Sequence, residues 1–349
     1  LEPITHLLTG ACLGRAGLNR KTALATATLT LAAEAPDLDV FGRIGGPVFG
    51  FAHHRGFTHS FLGAALVAGL VLAVMYGIYL LRRRKYAARY VQLPPRWGLL
   101  YLYAYLAGLS HILLDFTNNY GVRPFWPFSE RWYSWDIVFI VEPVLWVALI
   151  GGLLLPGLFS LINEEVGARR KGPQGRVGAT LALILMVLTW AVRDFEHRRA
   201  IAALQSRTYQ NQDAVRVSAY PYWVNPFRWY GVVETRDFFA SMGVDSLTPE
   251  VDPTGTMSVR FKPEETPVTM AAKKSYLGRV YLDWAQYPVT ETEALEQNRG
   301  YIVRFSDLRY AYPERIGGRR RPLSAGVELD SNLKVVREFT GEREGDGRN

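Results

Sequence analysis

Positions 60–81 form a run of 22 residues without one charged side chain. As a helix, a run of that length covers about 30 Å of hydrocarbon, and it has few other stable destinations. Further apolar runs follow at 97–114, 137–163 and 177–192, interrupted only by His111 and Glu142. Two weaker ones precede them, at 4–13 and 22–33. At about 1.5 Å per residue these two reach only part of the way across a bilayer. The pattern therefore predicts an α-helical transmembrane bundle of about four spans, opened by a short N-terminal helical hairpin.

Charge places the ends of the spans. Lys and Arg exceed Asp and Glu by 40 to 32, and the basic residues sit mainly in turns. One turn holds Arg82, Arg83, Arg84, Lys85, Arg89 and Arg96; a second holds Arg169, Arg170, Lys171 and Arg176; the hairpin turn holds Arg15, Arg20 and Lys21. Alternation of the spans puts all three on one side, which the positive-inside rule makes cytoplasmic. A net charge of +8 distributed in this way argues for membrane topology, with no nucleic acid as partner. Cys12 is the only cysteine, so no intrachain disulfide can form, and no stretch reads as a secretory leader.

After about residue 195 the character changes. A helix is predicted through 193–206, followed by strand-like runs at 214–219, 229–235, 256–261, 279–284, 301–305 and 333–339, punctuated by Pro, Gly, Asn and Asp. The expected organisation is a membrane domain at 1–195, a small mainly-β soluble domain at 196–340 on the extracytoplasmic side, and a disordered tail at 341–349. Within the soluble part, Tyr220–Trp223 and Asn225–Trp229 read either as a membrane-surface contact or as sheet core. Arg319, Arg320 and Arg321 read as a solvated loop or a contact for anionic headgroups.

Five of the six histidines lie in the first third of the chain, most of them in short polar knots at the ends of apolar segments. The knots are Pro3-Ile4-Thr5-His6, Pro36-Asp37-Leu38-Asp39, His54-Arg55-Gly56-Phe57-Thr58-His59-Ser60 and His111-Ile112-Leu113-Leu114-Asp115. By the same alternation all of them fall at the extracytoplasmic end. His111 and Asp115, four apart, share one helix face and can grip one ion from a rigid element. The bland alternative is a local His–Asp hydrogen bond, but ionisable groups at the end of a span are costly without a task. Asp37 and Asp39 can bridge ions or simply end a helix, and Glu34 one turn earlier is read as a helix-end residue. His54 and His59 converge if Gly56 makes a tight turn; His53 points to solvent or supports its neighbour. Arg55 is a candidate contact for a phosphate, or an exposed loop arginine. Asp136 and Glu142, near the start of the third span, are candidate proton acceptors, with Pro143 as a kink.

Together these motifs resemble the YdjM-like membrane-bound metal-dependent hydrolases over residues 1–195. The resemblance is carried by Pro-x-Thr-His, Pro-Asp-x-Asp, His-Arg-Gly-x-Thr-His-Ser, Ser-His-x-x-x-Asp and the Trp-Asp…Glu-Pro stretch. Asn225-Pro226-Phe227-Arg228-Trp229 is also similar to longer members. Glu142 stands where that family more often has Asp. The helical His-x-x-x-Asp more distantly resembles zinc-dependent phospholipase C. The resemblance implies a membrane-bound hydrolase with a soluble C-terminal extension.

The chemistry implied is one to three divalent ions, zinc first and manganese or iron next, held by His6, Asp37, Asp39, His54, His59, His111 and Asp115. A metal-activated water would attack a phosphoester or ester of a lipid or lipid-linked substrate, with Asp136 or Glu142 as base. The alternatives are a non-catalytic metal-binding scaffold or sensor and, less favoured, an ion transporter. The cytoplasmic halves of the spans are apolar and offer an ion no path. No G-x-S-x-G, H-E-x-x-H or Walker loop supports other hydrolase or nucleotide chemistry.

Overall fold

A computed structural model of the chain describes residues 1–165, 175–296, 299–312 and 323–341. The side chains of Arg89 and of 158–165 are outside this description. So are most of the expected tail, the Arg319–Arg321 run, and Arg169, Arg170 and Lys171 of one basic turn. The chain divides into two compact units: Leu1–Asp39, Arg55–Phe195 and Tyr222–Pro226 form the first, and the remainder the second.

The first unit is helical. α1 (Pro3–Arg15) and α2 (Ala25–Glu34) make the expected hairpin, with an irregular 3-10 stretch at Ala35–Gly45 beyond it. Small residues set how closely the two helices approach. A Cβ on Gly10 would lie 2.5 Å from the Leu29 carbonyl oxygen, and one on Gly14 would lie 2.7 Å from Thr26 Cα. The short helix α3 (Pro47–His53) belongs to the second unit. α4 (Phe61–Arg82), α5 (Ala87–Gln92), α6 (Trp97–Phe116), α7 (Pro143–Glu165) and α8 (Arg176–Gln205) complete the helices of the bundle. Among the described residues α4, α6 and α8 are long and apolar enough to cross a membrane, and α7 contributes a shorter apolar helix over Pro143–Gly157. Leu29, Ala32, Ala33, Val67, Val71, Met75, Leu100, Ala104 and Ala107 pack α2, α4 and α6 together.

The third apolar run begins differently from its expectation as one helix from 137. Ile137 and Val138 donate their N–H groups to the Thr117 carbonyl, and Val138 bridges Asn118 as extended chain. The helix starts at Pro143, whose missing N–H costs nothing in a first turn. Pro143 therefore opens α7 and does not kink it.

The second unit carries two antiparallel sheets. β1 (Arg216–Pro221), β2 (Arg228–Glu234), β3 (Phe238–Asp245) and β4 (Glu250–Val251) lie in that order, with β5 (Ser258–Phe261) also pairing β3. Trp229, Val233, Phe238, Ala240, Met242 and Val244 pack with Ala200 and Leu204 from the end of α8. Two helices follow, α9 (Pro267–Lys274) and α10 (Tyr276–Trp284), and then the meander β6 (Pro288–Ala294), β7 (Tyr301–Asp307), β8 (Ala325–Leu329) and β9 (Val335–Thr340). Residues 279–284, expected as a strand, are helical. Ser275 caps the Gly278 N–H at 3.0 Å, and Leu277, Tyr281 and Trp284 form one buried stripe at helical spacing. Residues Val40–His54, expected within the membrane domain, pack into this unit: Phe51 meets Tyr281 and Trp284 at ring separations of 6.0 and 5.5 Å.

A candidate metal centre of two histidines and two aspartates

Three local structures aim side chains at one point of the first unit. At the start of α4, a 3-10 turn at Phe57–His59 runs into Ser60, whose hydroxyl caps the Gly63 N–H at 2.9 Å. Gly63 is required there, because a Cβ would sit 1.7 Å from the Phe57 carbonyl oxygen. This turn buries His59 completely. On α6, His111 and Asp115 are one turn apart and both fully buried. The segment after α2 brings in Asp37, the one member with solvent access.

One donor atom from each of Asp37, His59, His111 and Asp115 lies within 4.8 Å of every other. His111 Nδ1 is 2.6 Å from the Ala33 carbonyl, so it carries the ring proton and leaves Nε2 as a lone pair. His59 Nδ1 faces Asp39 Oδ2 at 3.3 Å and Thr58 Oγ1 at 3.1 Å, which turns its Nε2 into the same role. The two Nε2 atoms face each other at 3.0 Å. Asp37 Oδ1 is 3.4 and 3.6 Å from the His59 and His111 Nε2 atoms, and Asp115 Oδ2 is 3.3 and 3.5 Å from them. A tetrahedral ion with bonds of about 2.0–2.1 Å has donor–donor edges of roughly 3.3 Å. Four donor atoms with five separations near that length, three of them fully buried, fit one cation held between them.

Electrostatics points the same way. Burial disfavours a charged His59, but its contacts with Asp115, Asp37 and Asp39 win and hold its pKa up at about 10. Burial acts against the Asp37 carboxylate too, yet His111 and His59 keep it well below the ordinary range. The centre thus demands positive charge, supplied by protons when no metal is bound. Glu34 responds oppositely: burial and the Asp37 charge push it up to about 7.

His6 and Asp39 flank the four. The His6 ring stacks on His111 at 3.7 Å, with Nε2 3.4 Å from Asp115 Oδ1, and among the described residues neither of its buried ring nitrogens has a hydrogen-bond partner. Burial, then the neighbouring His111, lower its pKa to about 3, which keeps it neutral and available as a ligand. Asp39 Oδ2 accepts the Arg55 N–H at 2.7 Å.

The other expected site residues stand apart from this group. His54 is half-buried, is grouped with the second unit and is not among the converging donors. His53 is exposed, its Nδ1 2.9 Å from the Phe49 carbonyl. Asp136 is half-buried at a left-handed turn with φ +59°. Glu142, expected as a proton acceptor, is neutralised by Arg193 at 2.6 Å, and Arg193 Nη1 also donates to the Tyr222 carbonyl at 3.3 Å. Sequence reading missed Arg193, although an arginine flanking an apolar span and an unpaired Glu142 in another were the available signals. Arg55 is not an exposed loop arginine: only 5% of it is accessible.

A buried cluster of two histidines and two aspartates among membrane-spanning helices defines a membrane protein with a possible metal-binding site. Over residues 1–200 the chain matches the YdjM inner membrane protein family, and it belongs to that family. Residues 267–345 match the YfhP C-terminal alpha/beta plait domain. The uncharacterized protein YfhP of Bacillus subtilis (strain 168) is 23% identical over 351 residues, covering 97% of this chain and 94% of that protein. No solved structure matches.

Proposed function

We propose that this protein is a membrane-bound metal-dependent hydrolase acting on a phosphoester or ester of a lipid or lipid-linked substrate at the extracytoplasmic face. The observation that carries the reading is the convergence of four donors, five of their separations lying between 3.0 and 3.6 Å, with three side chains at 0% exposure and Asp37 at 23%. His59, His111 and Asp115 would be the fixed ligands, and the partly exposed Asp37 edge would admit water and substrate. Zinc suits two imidazoles and two carboxylates best; manganese or iron also accept such donors. A divalent ion held by these residues would supply a bound water acidified towards neutral pH. His6 and Asp39 orient the ligands or hold a further ion, and Asp136 or Glu142 is the candidate base.

The reading also takes the soluble unit to lie outside the cytoplasm, since loop charge puts the emerging end of α8 there. A second reading, a non-catalytic metal scaffold or sensor, is favoured by the fourth protein donor, because structural zinc sites are closed whereas catalytic ones keep a position open. The test is purification into lipid nanodiscs, measurement of bound metal, and an assay against phospholipid and lipid-phosphate panels with His59→Ala and Asp115→Ala controls. Turnover lost in both controls supports the hydrolase. Stoichiometric metal without turnover on any substrate leaves the scaffold, and absence of metal overturns both.

A further inference from the structure

Arg55 makes the contacts of a brace, not of a substrate clamp. A guanidinium is a planar fork of N–H donors, and what it bonds shows what it does. Here Nη2 donates to Asp115 Oδ1 at 2.8 Å, while Nη1 donates to Asn118 Oδ1 at 3.2 Å and the Gly121 carbonyl at 3.1 Å. The ring of Tyr120 lies 4.8 Å from the guanidinium carbon. The backbone of the same residue donates to Asp39 Oδ2 at 2.7 Å, and that oxygen is the one 3.3 Å from His59 Nδ1. Both contacts are made from a left-handed backbone at φ +51°, a conformation a long side chain seldom adopts without cause.

We propose that Arg55 is the positioning residue of the metal centre, its guanidinium fixing Asp115 with Oδ2 turned towards His59 and His111, and its N–H fixing Asp39 against His59. The proposal rests on the metal reading given above and deepens it. Among the described residues Asp115 Oδ2 has no hydrogen-bond partner, while Oδ1 accepts from Arg55, the Leu1 nitrogen and Asn118 Nδ2, so Oδ1 is the atom by which the carboxylate is oriented. The guanidinium also offsets the repulsion of Asp37, Asp39 and Asp115 for one another. Groups that orient metal ligands in this way are worth roughly ten- to hundredfold in metal affinity.

The test uses the full chain in nanodiscs, with Zn²⁺ affinity from chelator competition and the d–d absorption of bound Co²⁺ as a signature of ligand geometry. Arg55→Gln is expected to weaken Zn²⁺ roughly ten- to hundredfold and to alter the Co²⁺ band. Arg55→Gly, which suits the positive φ and keeps the N–H to Asp39, should also lose affinity, which assigns the effect to the side chain. Zn²⁺ affinity within about twofold of wild type, an unchanged Co²⁺ band and weakened binding of inorganic phosphate would identify a substrate clamp and overturn the proposal. If Arg55→Gln does not fold, Arg55→Lys decides. It keeps the charge but puts one nitrogen on a shorter arm in place of the planar two-nitrogen fork, so a changed Co²⁺ band supports the brace and an unchanged one refutes it. Wild-type protein that takes up neither ion defeats the metal reading itself, a result distinct from any of these.

Discussion

Metal loading should fall steeply as pH is lowered, because the metal-free centre stores a proton on His59. The pKa of that imidazole is held up at about 10 against an ordinary 6.5. At pH 7 only about one molecule in a thousand then has the neutral ring a metal needs. The sign follows. A raised pKa stabilises the metal-free protein below about pH 6.5, and this contribution fades as pH climbs through 10. Metal binding gains what the proton loses, so apparent affinity should tighten about tenfold per pH unit between 7 and 10 for this one proton. His6, lowered to about 3, adds nothing in that range. Zinc titration calorimetry at pH 7.5 in two buffers of different ionisation heat counts the protons released, and at least one per ion is expected. Asp39→Asn removes one of the carboxylates that hold the proton and should flatten the slope. If affinity does not change between pH 7 and 9, His59 is not protonated in the metal-free centre and the electrostatic argument is wrong.

Other consequences are open to measurement. Glu142→Gln leaves Arg193 buried without its counter-charge and should cost about 3–5 kcal/mol, seen as a lower melting temperature; Glu142→Leu with Arg193→Met should recover most of the loss. A double variant no better than the single one would show that the pair does more than neutralise itself. Gly10→Ala drives a methyl to 2.5 Å from the Leu29 carbonyl and 2.8 Å from Ala33 Cβ, so it should both destabilise the hairpin and weaken metal binding, since the Ala33 carbonyl orients His111. Gly77→Ala, which meets nothing within 4 Å, is its control and should be neutral in both assays.

The hairpin, the long helices, the polar knots and their shared end were legible because each rests on local rules: apolar run length, helical spacing and loop charge. His111 and Asp115 were readable as a pair for that reason, being one turn apart on one helix. Local rules failed where an alternative depended on distant partners. Residues 279–284 carry aromatic and β-branched side chains that suit a strand, but Ser275 caps them as a helix and a buried stripe holds them there. Residues 137–142 looked like the start of a span, yet the N–H groups of Ile137 and Val138 find the Thr117 carbonyl across the chain.

The sequence by itself determined that this chain enters a membrane and carries its imidazoles and carboxylates at the ends of its helices, because hydrocarbon thickness and charge cost act on the chain one segment at a time. Tertiary structure alone decided which of them meet. It joined Asp37, His59, His111 and Asp115, tied Glu142 to Arg193, and turned Arg55 inward. Those choices follow from packing between segments far apart in the chain, where distances of 3 to 4 Å separate a ligand from a bystander and no sequence spacing records them.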